Sequence, residues 1–394
     1  FSAGAALSFN TVVDTVSTRI AGSTLEAGRD LRLESGTILV ATNLAAGGAY
    51  AENFAAGGSL AVTTLVDRTE AVISGSSASA GNDLRLSAAD ASVVVGAAGN
   101  VQGSNGLALG GAFVVNTAAG TVSARVEGDS EVEAGGSVAL GALKATVLAS
   151  LAGSGQLAQY FTASASVAVN TVLGCTEAIV EGSTVTAVGG DLSLTAVDAS
   201  VVGSMVGSVS FSWGGGVIGA ALAVNTILDE TRACAEESDL RAGGDVLLAS
   251  RNTAVIGNLV ISGSAGPYLA LGGATAANTI VHTTEAFIAG GDSSRAVIRA
   301  GKDLLLSSQN ASVIGTVAIG LSGSLSTGGA AGLSVGTSLA VGVVSQTTRS
   351  YVRKAEVVAQ GEIGLEAQSS SLMIAVTLAG AGGVVTGGGG VLGT

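Results

Sequence analysis

The pattern apolar-x-apolar-Asn-Thr, followed four residues later by Thr/Val-x-Ala-x-Ile/Val, returns along this chain at a nearly constant interval. Its Asn is Asn10, Asn116, Asn170, Asn225 and Asn278, with Thr63 in that place in the second copy and Gly342 in the seventh. The steps are 53, 53, 54, 55, 53 and 64 residues, the last lengthened by an insertion around Asp292–Val297. A chain with a fixed internal period grows by adding copies, and each copy buries its apolar face against its neighbours. Seven repeats of about 54 residues therefore make one continuous body over 1–394, divided near 1–58, 59–110, 111–164, 165–219, 220–272, 273–336 and 337–394.

The local structure follows from alternation. Six residues past the Asn position stand Val16, Thr69, Val122, Thr176, Thr231, Thr284 and Thr348. The residues eight and ten past it are again small or apolar, as in Thr18 and Ile20 or Ala178 and Val180, while charged residues such as Glu70, Arg125, Glu177 and Arg232 fall between. A period of two with one apolar face is a half-buried strand. About 20 residues past the Asn comes a glycine turn, then Asp in most copies, then alternating apolar residues, as in Ala27-Gly28-Arg29-Asp30-Leu31 and Ala242-Gly243-Gly244-Asp245-Val246. Ser137 and Glu362 replace the Asp in the third and seventh copies. A third stretch, Ala91–Gly96, Ala199–Gly203 and Ala311–Gly315, precedes a Gly/Ser/Ala tract that reads as a loose lead into the next copy.

Composition narrows the architecture. Gly is 61 of 394 residues but Pro is 1, which excludes a collagen helix, and a mean hydropathy of +0.60 opposes a disordered linker. Short strands, glycine turns and strict recurrence give an all-β, right-handed parallel β-solenoid. Stacked one coil per repeat, Asp30 and Asp83 would lie about 4.8 Å apart, and like charges so placed destabilise a sheet. Either two or more coils separate them or cations bridge them; the expectation is two coils of about 27 residues per repeat, or three of about 18, and with two coils a rod of roughly 65 Å.

The Asn-Thr strand with its Ala-Gly-Gly-Asp-Val/Leu turn, as in Ala223-Val224-Asn225-Thr226-Ile227 with Ala242–Val246, resembles repeats of giant bacterial filamentous adhesins of the fusobacterial leukotoxin type, and more loosely filamentous-haemagglutinin-like exoproteins. The resemblance covers essentially the whole chain. It implies a secreted or surface-anchored solenoid, extracellular or on a bacterial cell surface, that forms a fibre or holds a binding tip away from the cell.

The chain carries no evident active site. Asn10, Asn116, Asn170, Asn225 and Asn278 are expected to form a structural ladder of side-chain amides. Asp30, Asp83, Asp191, Asp245 and Asp303 are weak calcium candidates, because the calcium nonapeptide needs a further Gly-x step that is missing here; exposed turn-closing residues are the favoured reading. His282, the lone histidine, follows the Asn strand where other copies have Asp14, Asp67, Gly120, Gly174, Asp229 and Gln346, and is read as a solvent-exposed turn residue. Cys175 and Cys234 are expected to be free thiols in outward positions, beyond disulfide reach along the strand. The glycine tract from Gly380 to Gly390 lacks the Lys-Ser/Thr of a phosphate loop. No catalytic residue, cofactor or enzymatic activity is expected.

Partner classes are bounded by charge. A net charge of −13 opposes nucleic acid and anionic lipid. Few aromatics and no long apolar run oppose membrane insertion. The start at Phe1, without a charged leader, reads as an excerpt or a processed chain. The expected partner is the chain itself, stacked end to end, since neither end shows a polar cap, with a host or neighbouring cell surface as a further partner. The alternatives are a β-helix enzyme acting on polysaccharide, for which charge is too sparse and scattered, and a ligand-binding module. Ice binding would use Thr11, Thr64, Thr117, Thr171, Thr226 and Thr279, which recur once per repeat, too rarely for a Thr-x-Thr lattice.

Overall fold

The structure is a computed structural model that describes residues 1–292, 295–327 and 332–386. The Asp292–Val297 insertion lies partly outside the described residues, at 293 and 294, and the Gly380–Gly390 tract does so from 387 onward. All regular structure is β, in three parallel sheets of seven strands each. Every repeat contributes one strand to each sheet. The entry strands are Ser2–Ala21, Phe54–Ser74, Leu107–Glu127, Phe161–Glu181, Gly216–Glu236, Leu269–Ala289 and Leu333–Arg353. A short strand follows each, from Thr24–Ala27 to Ala355–Ala359. The return strands are Leu31–Ala51, Leu84–Ser104, Val138–Ala158, Leu192–Ser212, Val246–Gly266, Leu304–Thr327 and Ile363–Thr386.

Pairing is in register from one repeat to the next: Asn170 lies beside Asn116 on one side and Asn225 on the other. One repeat is therefore one coil, not two or three. The seven coils stack over roughly 34 Å at about 4.8 Å each, half the expected rod. The expectation failed because strands of 20 to 24 residues replace several short ones, and because the Gly/Ser/Ala tracts are strand rather than loose connection. Serine there faces the opposite sheet, several of the glycines face outward, and the backbone N–H and C=O groups are taken by neighbouring coils.

Each coil has two halves. In the base half the entry, short and return strands enclose a triangular core of Ala, Val, Leu and Ile, including Ile73, Leu86, Val132, Leu140, Val180, Leu194, Leu240 and Ile288, all essentially inaccessible to solvent. Removing one such leucine, as in Leu194→Ala, costs about 3 kcal/mol through lost transfer energy and the cavity left behind. The corner after the entry strand needs a left-handed residue, met by Gly22, Gly75, Gly128 and Gly182 at φ between 52° and 72°. In the tip half the two long sheets close directly on each other. Its interior is small or polar, with Ala45, Ala61, Ala112, Ala152, Ser166 and Ser208 buried between them.

Candidate functional site

Because every coil repeats the one below, side chains that share a position form columns along the stack. Asn116, Asn170, Asn225 and Asn278 are buried, and their amides connect directly: Asn116 Nδ2 donates to Asn170 Oδ1 (3.0 Å), Asn170 Nδ2 to Asn225 Oδ1 (2.7 Å) and Asn225 Nδ2 to Asn278 Oδ1 (3.0 Å). The facing return sheet ties into this row, with Asn170 donating to Ser150 and Ser204 and Asn225 to Asn258. Asn10 stands on the first coil beside Thr63 and is only half-buried.

The Asp column runs along the exposed corner before the return strands. Asp30, Asp83, Asp191, Asp245 and Asp303 stack coil upon coil, with Ser137 and Glu362 completing the row. Each carboxylate accepts a backbone N–H from the next coil: Asp83 Oδ1 from Ser137, Asp191 Oδ1 from Asp245, Asp245 Oδ1 from Asp303 and Asp303 Oδ1 from Glu362, at 2.7–3.0 Å. These hydrogen bonds help like charges to tolerate one-coil spacing. One oxygen of each carboxylate faces a positive N–H dipole, and solvent at this exposed corner screens the remainder. A groove of about 620 Å³ runs beside Asp191, Asp245, Asp303 and Glu362. Among the described residues, no group of three or more His, Cys, Asp or Glu is placed to hold a metal ion.

A second charged cluster lies inside the stack, where the sequence gives no obvious sign of it. His282 is not in a turn. The entry strand runs straight through its position, so alternation points it inward, and its side chain is fully enclosed. The same holds for Asp67 and Asp229. Across from this column, the return strands bring Asp90, Lys144, Asp198, Asn252 and Asn310 into one row. The ammonium of Lys144, wholly buried, lies 3.3 Å from Asp198 and 3.6 Å from Asp229. His282 Nε2 lies 3.8 Å from Asp229, and its Nδ1 is 3.2 Å from Asn310 Oδ1. Asp67 and Asp90 meet through the Ser92 hydroxyl.

Four carboxylates thus surround one lysine, which leaves them under-compensated. Burial, then the charge of Asp67, pushes Asp90 up to about 7. Burial lifts Asp198 to about 6 against the pull of Lys144, with Asp229 adding to the rise. Asp67 is raised for the same first reason. Burial works to lower Lys144, but Asp198, Asp229 and Asp67 together hold it above the ordinary lysine range. Burial depresses His282, so the imidazole is neutral at pH 7. The varied residues at the His282 position signalled co-ordination with a facing row, a relation that only becomes visible once the rows are paired.

On the outer side of the base half an ion ladder crosses five coils: Arg125 to Glu177, Glu177 to Arg232 (3.6 Å), Arg232 to Glu285 (3.8 Å) and Glu285 to Arg349 (3.7 Å). Cys175 and Cys234 are both free. Cys175 is half-buried beside this ladder, and burial pushes its thiol up to about 12. Cys234 points outward from its strand yet is fully covered, among Ile179, Phe287 and Ala289. Neither holds a reactive thiolate near neutral pH.

The tip half carries almost no charge. Of the 45 charged residues, only Glu52 lies in the tip; the stretches 91–124, 145–176, 199–228, 252–281 and 304–348 have none. Charge read as scattered in the sequence is gathered by folding onto the base. Thr11, Thr64, Thr117, Thr171, Thr226 and Thr279, apparently sparse, form one outward column at single-coil spacing. Compared with known proteins, the chain matches no family model, no curated protein and no solved structure.

Proposed function

We propose that this chain is a structural segment of an extracellular bacterial filament or stalk of the adhesive kind, with its coils continued end to end by coils of the same type. The observation that carries this reading is the unbroken axial bonding. Three sheets and several side-chain ladders run coil to coil in one direction, so a pull along the axis is shared by every backbone hydrogen bond of a coil interface. The outer edges of the first and seventh coils present long rows of backbone N–H and C=O groups in the same register. Such edges accept a further coil, from more repeats or from another copy. The resemblance of the Asn-Thr and Gly-Gly-Asp motifs to adhesin repeats adds the setting, a cell surface or the space outside it.

Electron microscopy with diffraction tests the reading. Unbranched fibres with a 4.7–4.8 Å axial repeat are expected. Short rods that never join at their ends, at any concentration, would overturn it.

A further inference from the structure

The tip half keeps most of its outer surface apolar. Its interior mixes Ala61, Val114, Val206 and Val260 with Asn100, Gln102, Gln156 and rows of serine, while its outer faces are mainly apolar. On the return sheet the outward residues between the Val40 and Tyr50 columns carry no charge, and in coils two to seven no hydroxyl either. Met205, Leu151 and Val209 there are 52%, 50% and 62% exposed. The face measures about 35 Å along the strands and about 29 Å from the first coil's strand to the seventh's, roughly 1000 Å². A monomer rarely leaves so large an apolar patch bare, and about 800 Å² per partner suffices for a stable interface.

We infer that this face of the return sheet packs against the same face of a second copy, side by side, independently of any end-to-end joining. The relief is self-complementary in the middle of the stack. Leu44, Leu151, Met205 and Leu259 belong to one column and form a ridge. The next outward column is a valley in coils two to four, at Gly99, Gly153 and Gly207, each with open space where a side chain would be, and fills with Ile261, Ile319 and Leu378 in coils five to seven. A two-fold axis parallel to the stack, midway between these columns, lays Leu151 and Met205 over the partner's glycines in coils three and four and sets aliphatic side chains against one another in coils five to seven. Glycines in the middle of a strand weaken it unless another surface approaches closely, which this packing supplies. The same axis sends the two charged bases to opposite ends, away from the mutual repulsion of a net charge of −13.

Two other surfaces fit less well. The outer face of the entry sheet carries the threonine column, whose hydroxyls a dry interface would have to strip of solvent. Lipid is disfavoured because an open sheet leaves unpaired backbone groups at its edges, which hydrocarbon does not tolerate.

The test is the mass of the full chain by light scattering across micromolar concentrations, with negative-stain images. The wild type is expected at twice the chain mass or a multiple of it, with particles doubled in width. The double variant Leu151→Glu/Met205→Glu, on outward side chains, should keep its far-ultraviolet circular dichroism and lose lateral pairing by on the order of 100-fold. Thr171→Glu, on the entry sheet, should leave pairing unchanged. End-to-end joining lengthens particles without widening them, so failure of either proposal is recognised separately. A chain that stays single-width throughout would overturn the inference. So would pairing abolished by Thr171→Glu and not by the double variant, or a monomer that floats with phosphatidylcholine vesicles and stops doing so in the double variant.

Discussion

The ammonium of Lys144 sits under Gly174 of the facing sheet, so closely that a Cβ on that glycine would lie 2.5 Å from Nζ. Gly120, on the coil before, clears the space around Lys144 Cε in the same way. The two glycines are the room in which a buried lysine crosses the core to reach carboxylates on two further coils.

Gly174→Ala should therefore destabilise the fold by about 2 kcal/mol, since neither the fully enclosed lysine nor the buried Asp229 carboxylate, whose Oδ1 would lie closer still to the same Cβ, can retreat. Lys144→Met should cost about 3–5 kcal/mol at pH 8, because Asp198 and Asp229 are left buried without a cation. In the Lys144→Met background, Gly174→Ala should cost measurably less than in the wild type. Urea titration of the four proteins closes the cycle, and simple additivity would show that the two positions are not coupled.

Stability should fall as pH rises from about 4 to about 7, the reverse of the common pattern. Asp90 and Asp198 have native values raised above 3.8, to about 7 and about 6, so within that window the native chain holds protons that the unfolded chain has released. The unfolded state binds fewer protons, and the slope is negative. His282 opposes this below pH 6.5, because its depressed native value makes protonation favour the unfolded chain, but one imidazole acts against three carboxylates. The net loss between pH 5 and pH 7.5 should be on the order of 2 kcal/mol, a tenfold difference in proton affinity between the folded and unfolded chain being worth about 1.4 kcal/mol. Asp90→Asn should flatten the profile, and a wild-type curve that rises through this range would contradict the assignment.

Asn225 accepts from Asn170 and Ser204 and donates to Asn258 and Asn278. Asn225→Ala leaves several buried polar atoms without partners and should cost about 2–3 kcal/mol. Asn10→Ala, at the half-buried end of the column, should cost under about 0.5 kcal/mol. Thermal melting separates the two, and equal effects would mean that the amides act singly rather than as a connected row.

The Asp column makes a prediction about chemistry rather than charge. Asp245→Asn keeps an oxygen to accept the Asp303 N–H and should stay within about 0.5 kcal/mol of the wild type, whereas Asp245→Ala should lose about 1 kcal/mol. If the carboxylates serve the backbone, melting in calcium and in a chelator should give the same midpoint. A midpoint raised by calcium and insensitive to Asp245→Asn would instead assign the column to a cation.

The sequence by itself determined the strand character, the repeat and the columns. Alternation at Val16, Thr18 and Ile20 and its recurrence at each copy require a parallel stack, because a period of two can bury only one face and a constant step aligns equivalent residues. Asn10 through Asn278 and Asp30 through Asp303 were visible as columns for the same reason. What tertiary structure decided was which columns face each other and how far apart coils lie. The return row of Asp90, Lys144 and Asp198 is separated in sequence from Gly120, Gly174 and Asp229, and nothing in a linear pattern sets their pairing. The coil count turned on whether Gly/Ser/Ala tracts are loops or strands. Small residues permit both, and only the closing of two sheets upon each other, with every backbone group taken by the neighbouring coil, selects the strand.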